Sequence, residues 1–538
     1  MRKIESLFIG GAMLAAVIGT GVAIWNHSSR DKNAAVYHFP MTKYGAFLAA
    51  QHAVYTNDFD AAAIFSDQLQ DVDFATVRSV RYLSEFLGGK LPADSADLKG
   101  DKTAPARIIY DAYLITNDKW DAVYKNHRKD ESALAAPLRI WSSVATGRKS
   151  DALKFIKKLP TNDSWKSFVR GQIYAETGDV DAAATEFASV RPDFMNINDY
   201  MYIMAFYQHN NMTAAAEKLR GEFTARPGGM YMLDYDTLPT WDTFAGYKNA
   251  LAFSLVQNVS HTQIMMYSDL SLLLLRFAQI TGPNFGSDND AMNYYLGQFF
   301  FNNSGDYNAY FSRIKPTSPF YLFGVLRGAE RSGNVHELRT AVRQNPLFVP
   351  ATDKLVAYYV QNGKRRAALR VVNNALDNSN LTSGGRAFFL KTRAHIYYVF
   401  GDLDAAAHDI KSASSALPID GDILALQAKI WAAQNREIEN AYEYAMTLVR
   451  KNPTDIIAWD TLGVVVAVRE GAPAGIEILS RVGEVSVKCS ALFMHLGDMY
   501  VETGEYDMAR DAYMRAIDLS YDGLVSVPAI NKKLRMLK

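Results

Sequence analysis

The chain has 538 residues, of which 49% are hydrophobic and 21% charged, so it is expected to fold and is too long for a single hydrophobic core. Its 57 Lys and Arg residues cancel its 57 Asp and Glu residues, which excludes a global positive field that would recruit nucleic acid. The single cysteine, Cys489, excludes an internal disulfide framework and any Cys-x-x-Cys motif.

Residues 1–25 are predicted to form a membrane anchor. The segment 7–25 carries no charged residue and would cover roughly 28 Å as a helix, near the thickness of the hydrocarbon core of a bilayer. Arg2 and Lys3 precede it, which favours a cytoplasmic N-terminus and a body beyond the membrane. The alternative is a cleaved signal peptide, because residues 21–23 are small. The polar residues 26–42 are predicted to be a tether.

Residues 43–245 are predicted to form degenerate pairs of short helices. The clearest unit spans residues 171–187, where small residues and aromatic residues alternate at helical spacing around a Thr-Gly-Asp turn. The same signature, a turn of Asn, Asp or Gly followed by alanines, recurs at 57–62, 117–122, 147–152 and 210–215.

Two stretches interrupt this pattern, residues 87–106 and residues 226–243. Both are rich in turn-forming residues such as Gly, Pro and Asp, which do not continue a helix. Each stretch is therefore predicted to be a long loop between helical groups.

Residues 246–348 have helical character but are unusually aromatic, with clusters at 294–295, 299–301 and 320–323. Aromatic side chains in helices mostly fill cores, so degenerate helical repeats with large core side chains are predicted. The alternatives are a docking surface for a partner protein, a site that serves an enzyme complex, or aromatic residues that bind glycan or peptidoglycan.

Residues 349–521 carry the most regular pattern. In the last unit, Leu496, Gly497 and Tyr500 lie on one predicted helix and Ala509 and Tyr513 lie on the next. Trp459, Leu462 and Gly463 occupy the corresponding places one repeat earlier, and similar units begin near residues 387 and 422. The basic residues 522–538 are predicted to form a helix that caps the array.

This pattern resembles the tetratricopeptide repeat (TPR) family, in which small residues allow two antiparallel helices to approach and aromatic residues fill the space between successive pairs. The resemblance implies an all-α solenoid of antiparallel helix pairs, which would follow the N-terminal transmembrane helix predicted from residues 7–25. It also implies a scaffold that mediates protein–protein interactions and is not an enzyme.

The layout also resembles exported, membrane-anchored proteobacterial TPR proteins, through the units at 44–63 and 136–153. That resemblance implies export across the inner membrane. Together with the N-terminal segment it predicts a single-pass protein of the bacterial inner membrane whose body lies in the periplasm, or a soluble periplasmic protein after signal cleavage. The partners implied are helices or extended segments of other proteins in the cell envelope, with the membrane bound through residues 7–25.

Catalytic motifs are missing from the sequence. There is no H-E-x-x-H, no G-x-S-x-G and no phosphate-binding Gly-rich loop, and His336-Glu337 lacks a second metal ligand at the required spacing. Cys489 has no neighbouring His or basic cluster that would activate its thiol. We therefore expect no catalytic, metal-binding or cofactor-binding residue.

In the TPR family, ligands contact fixed positions on the first helix of each repeat, which lines the concave face. Carrying those positions onto this chain implies a mixed polar and aromatic groove that binds a protein segment. The candidate residues are Phe388, Lys391, His395, Tyr398, Gln427, Gln434, Asp460, Met494, Asp498 and Glu502.

Overall fold

A computed structural model describes residues 42–69, 75–101, 104–130, 135–235, 238–261, 269–303, 305–485 and 488–537. Over these ranges the chain consists of α-helices and short 3-10 turns without a β-strand, which confirms the all-α class. The predicted anchor at 7–25 and nearly all of the tether lie outside the described residues. None of the described helices is long and apolar enough to cross a bilayer.

The helices fall into three groups along the chain. The first group is α1 Lys43–Tyr55, α2 Phe59–Asp67, α3 Ala75–Leu87, α4 Ala104–Thr116, α5 Trp120–His127, α6 Ala136–Ala145, α7 Lys149–Lys158, α8 Asp163–Glu176, α9 Val180–Ala188, α10 Ile197–His209 and α11 Thr213–Thr224. The second is α12 Tyr247–His261, α13 Asp269–Thr281, α14 Asp290–Asn302, α15 Asn308–Phe311, α16 Tyr321–Ser332 and α17 Val335–Gln344. The third is α18 Val349–Gln361, α19 Arg365–Leu376, α20 Ser383–Val399, α21 Leu403–Ala416, α22 Gly421–Ala433, α23 Ile438–Lys451, α24 Ile456–Glu470, α25 Ala472–Val485, α26 Ser490–Thr503, α27 Tyr506–Asp518 and α28 Val527–Met536.

Short turns with a recurring chemistry join the two helices of a pair. At the turn between α1 and α2 the backbone of Asn57 has a positive φ, and Gly178 and Gly401 take the same left-handed conformation in later pairs. An aspartate then caps the second helix, as when the Asp58 carboxylate accepts a hydrogen bond from the Ala61 amide at 3.1 Å. The turn at the start of the 57–62 signature and the Thr-Gly-Asp turn of the 171–187 unit therefore lie between paired helices.

The long interruptions contain little α-helix. Between α3 and α4 the chain forms a 3-10 turn at Ser95–Leu98, and between α11 and α12 it forms 3-10 turns at Met230–Asp234 and Trp241–Thr243. These segments correspond to the two predicted loops.

Helices α12 and α13 lie inside the first group. Helix α12 packs against α6 and α8, which are first helices of their units, and α13 packs against α3 and α4. The Trp141 indole on α6 donates a hydrogen bond to the Ser254 hydroxyl on α12 at 2.8 Å. Gln257 and His261 on α12 both bind the buried Asp199 carboxylate, at 2.9 and 2.7 Å. The concave side of the first group is therefore filled by the chain's own helices.

The aromatic residues of the second group belong to this filled interior. Tyr295, Phe299, Phe300 and Phe320 are buried, in one hydrophobic core that runs from Phe59 to Ile396. The interpretation of this region as core is therefore confirmed for these side chains. Buried rings leave no open face for a partner or a sugar, so they do not favour the docking and glycan alternatives.

A half-buried carboxylate marks the point where the filling segment enters the first group. The Glu176 carboxylate accepts a hydrogen bond from the Gly246 amide at 2.8 Å, whereas its second oxygen has no hydrogen-bond partner. Burial raises the pKa of Glu176 to about 7, although the Gly246 hydrogen bond acts in the opposite direction. Tyr202 and Gln172 are also buried with unpartnered polar atoms.

Replacement of Glu176 by Gln tests this burial. A raised carboxyl pKa gives stability that is complete below the unfolded value of 4.5 and is lost as the pH rises through about 7. At pH 8 we expect Glu176→Gln to be more stable than the wild type by about 1–3 kcal/mol, with no gain at pH 4. Urea unfolding at both pH values measures the difference. The exposed Glu217→Gln serves as a control, and a pH-independent effect at Glu176 would contradict the assignment.

Candidate functional site

The first helices of four consecutive repeats, α20, α22, α24 and α26, present one row of side chains towards the inside of the third group. Small residues set how closely each first helix approaches its second helix. At Gly497 a Cβ atom would lie 2.6 Å from the ring of Tyr513, and at Gly463 it would lie 2.3 Å from Leu479. These close approaches fix the spacing of the two helices within each of the last two repeats, and the stacking of successive repeats places their first helices side by side along the inner face.

A buried polar cluster lies at the centre of this face, and each member comes from a different repeat. The Asp460 carboxylate on α24 is fully buried and accepts hydrogen bonds from Lys429 Nζ on α22 at 3.1 Å and from His495 Nδ1 on α26 at 2.7 Å. The other ring nitrogen of His495 lies 3.4 Å from the Tyr398 hydroxyl on α20. We call Tyr398, Lys429, Asp460 and His495 the inner cluster.

Electrostatics keep the Asp460 carboxylate of the inner cluster ionised at neutral pH. Burial alone would raise the pKa of Asp460, but the neighbouring His495 and Lys429 outweigh it and lower that pKa to about 2. Burial and the nearby cations Lys429 and Lys391 lower the pKa of His395 to about 4, so this imidazole is neutral. The inner face therefore carries the ionised Asp460 carboxylate, which is paired with Lys429, and the neutral imidazole of His395.

Other candidate residues also contact neighbouring groups. Lys391 pairs with Asp422 at 2.8 Å and lies over the half-buried Phe388 ring. Gln434 donates hydrogen bonds to the Leu403 carbonyl and the Asp404 carboxylate, each at 3.3 Å. The Gln427 side chain is buried, and its carbonyl oxygen has no partner.

The candidates near the end of the array are more open. The Asp498 carboxylate accepts hydrogen bonds from the Tyr513 hydroxyl at 2.5 Å and from Lys533 Nζ of α28 at 2.6 Å. Met494 is half-buried and Glu502 is exposed. The accessible part of the predicted surface therefore lies on α26.

Sequence reasoning missed two members of the inner cluster, Lys429 and His495. His495 stands at the sixth position of its repeat, which is one of the ligand-contacting positions of the family, and so could have been found from the sequence. Lys429 does not stand at such a position. Only the stacking of α22 on α24 shows that its ammonium group reaches Asp460.

Chemically, the inner face offers ion pairing and hydrogen bonding. Among the described residues, no group of three His, Cys, Asp or Glu side chains is placed to hold a metal ion. The Cys489 thiol is buried, and burial raises its pKa to about 12, so it stays protonated at neutral pH.

Comparison with protein families gives one match. Residues 490–522, which contain α26, α27 and the following 3-10 turn, match the family model described as "Tetratricopeptide repeat". This match confirms the resemblance at the unit where the sequence pattern is most regular. No curated protein matches the sequence.

Several solved structures align with this chain, each with a low TM-score and low sequence identity. A tetratricopeptide repeat protein from Parabacteroides merdae aligns with a TM-score of 0.31 and 13% identity, over 54% of this chain and 98% of that chain. The APC/C hetero-tetramer Cut9–Hcn1 gives a TM-score of 0.32 and 10% identity, over 91% and 96%. Yeast Tom70 gives a TM-score of 0.26 and 12% identity, over 92% and 96%.

The inner cluster predicts a large effect of removing its carboxylate. In Asp460→Asn the buried Lys429 ammonium loses its counter-charge, so we expect the free energy of unfolding to fall by about 3–5 kcal/mol in urea titrations at pH 7. The exposed pair of Glu477 and Arg481 provides the control, since Glu477→Gln should cost at most about 1 kcal/mol.

Asp460→Asn should also make the free energy of unfolding less sensitive to acid. A lowered carboxyl pKa gives stability that is present above the unfolded value of 3.8 and is lost as the pH falls towards 2. The wild type should therefore lose stability over this interval more steeply than Asp460→Asn. Parallel pH profiles would contradict an ionised Asp460 in the native protein.

Proposed function

Because this chain carries a tetratricopeptide repeat at residues 490–522, we propose that it is a non-enzymatic scaffold that binds other proteins in the bacterial cell envelope. One observation carries this proposal: first helices of consecutive repeats present a continuous row of polar and aromatic side chains from Phe388 to Glu502. Rows of this kind suit the recognition of helices or extended segments of other chains, because side chains at fixed spacing can contact successive residues of a peptide.

The entry point for a partner is proposed to be α26. Glu502 is exposed, Met494 is half-buried, and Asp498 keeps part of its surface open beside Lys533. A methionine next to two acidic residues favours a partner segment that combines an apolar side chain with basic ones.

A photoreactive amino acid placed at Glu502 tests this proposal. In cells we expect crosslinks to a discrete partner from position 502, and no such crosslinks from Glu477 on the second helix α25. The bands, identified by mass spectrometry, should weaken when Asp498 and Met494 are both replaced by Ala. An equal yield at 502 and 477 would show that the inner face has no special role.

The location of the protein is a separate proposal. Residues 7–25 are proposed to anchor the chain in the inner membrane with the helical body in the periplasm, on the basis of their length and lack of charge. The full chain should then sediment with membranes and resist extraction by carbonate, whereas a variant without residues 1–25 should not. A shortened mature chain in the periplasmic fraction would favour signal cleavage. A full-length chain in the cytosolic fraction would refute both.

A further inference from the structure

The last residues of the repeat array return to a helix that lies four repeats earlier. The Gln361 amide at the end of α18 donates a hydrogen bond to the Ser520 hydroxyl at 3.0 Å, although 159 residues separate them. Gly523 lies directly against Ala357 of α18, and Pro528 of α28 lies against Gly363. We call this contact between residues 357–363 and 520–528 the seam.

Gly523 is the residue that allows the seam to close. Its backbone is left-handed, with a φ of 74°, and a Cβ atom here would lie 2.3 Å from the Cβ of Ala357. Real Cβ atoms do not approach each other this closely, so any side chain at position 523 must push the two sides apart.

The seam joins two separate hydrophobic cores. Leu355, Val356 and Val360 of α18 belong to the core that fills the first two helix groups. Val525 and Ile530 belong to the core of the last repeats. The seam includes Val360 of the first core and Val525 of the second, both 0% exposed, so its opening uncovers the edges of both cores while the helices on either side stay folded, as a local opening and not as global unfolding.

Closure of the seam encloses the inner face. The repeats between α18 and α28 curve so strongly that Tyr398 on α20 and His495 on α26, 97 residues apart, come within 3.4 Å across the interior. A partner helix is about 10 Å wide and cannot pass between side chains in contact. With the seam closed, the residues at the centre of the inner face are therefore inaccessible to another chain.

We propose that the seam is a gate, which must open before a partner polypeptide can reach the inner cluster. This inference rests on the proposed function, since it concerns access to the same inner face. Opening separates α18 from the 520–528 segment, widens the curve of the repeats and parts Tyr398 from His495. A partner that carries its own charges then replaces the internal contacts of the inner cluster.

The protein contains a natural reporter for this movement. The Ser490 amide and hydroxyl both bind the Asp522 carboxylate, at 2.8 and 2.6 Å, and Asp522 is adjacent to Gly523. Cys489 precedes Ser490, is only 3% exposed, and is the single cysteine of the chain. Cys489 belongs to the same core as Val525, so opening of the seam, which uncovers Val525 and displaces Asp522, should loosen the Ser490 contact and admit a thiol reagent to Cys489.

The experiment compares the rate at which dithionitrobenzoate modifies Cys489 in the full chain and in three variants. We expect Gly523→Ala to raise the rate about tenfold, because the added methyl group collides with Ala357. Gln361→Ala should raise it about twofold, because it removes the hydrogen bond from the other side without backbone strain. Gly504→Ala is the matched control, since Gly504 is also left-handed but has no atom within 4 Å of its Cβ position.

Hydrogen exchange supplies a second readout. The amides of 349–361 and 520–528 should exchange faster in Gly523→Ala than in Gly504→Ala, while those of α8 and α10 stay unchanged. Equal modification rates in the two glycine variants would overturn the gate. If Cys489 responds as expected but position 502 captures no partner in any variant, the opening of the seam is supported and the proposed function fails.

Discussion

An isolated pair of antiparallel helices leaves one apolar face exposed, and this constraint governs the whole molecule. Each pair must stack on the next, so the fold grows as a row and not around one centre. The close contact of Gly497 with Tyr513 is the local form of this requirement, because it brings the two helices near enough to bury their shared face. The same need recurs in the helix pairs of the first and third groups, and stacked pairs leave a concave side that is lined by their first helices.

The concave side is lined by different side chains in the first and third helix groups. In the first group the concave side is apolar and aromatic, and α12 and α13 fill it so that residues such as Tyr202 and Phe253 lie in one core. In the third group the concave side is polar, and Asp460 is satisfied by Lys429 and His495 from neighbouring repeats. A filled apolar groove is permanent, because its exposure would cost much of the hydrophobic free energy. A polar groove can exchange its internal partners for external ones.

This difference favours the third group over the first as the proposed binding surface for another chain. The inner face of the third group combines ion pairs, half-buried aromatic rings and an exposed end on α26, and it is enclosed by the seam between residues 357–363 and 520–528. The buried Asp460 carboxylate accepts hydrogen bonds from Lys429 and His495, so a partner that displaces either donor has to supply another in its place. A scaffold built in this way would reject chains that cannot supply a positive charge.

The sequence alone determined the local structure. Left-handed turns at Asn57 and Gly178, followed by capping aspartates, fix where paired helices end and begin, because these signals act within a few residues. The row of first-helix side chains on the inner face could also be located from the sequence, because its positions recur once in each repeat. Tertiary structure alone decided which members of that row meet, that α12 fills the upstream groove, and that residue 523 returns to residue 357. These contacts depend on curvature summed over many small packing angles, which no local pattern encodes.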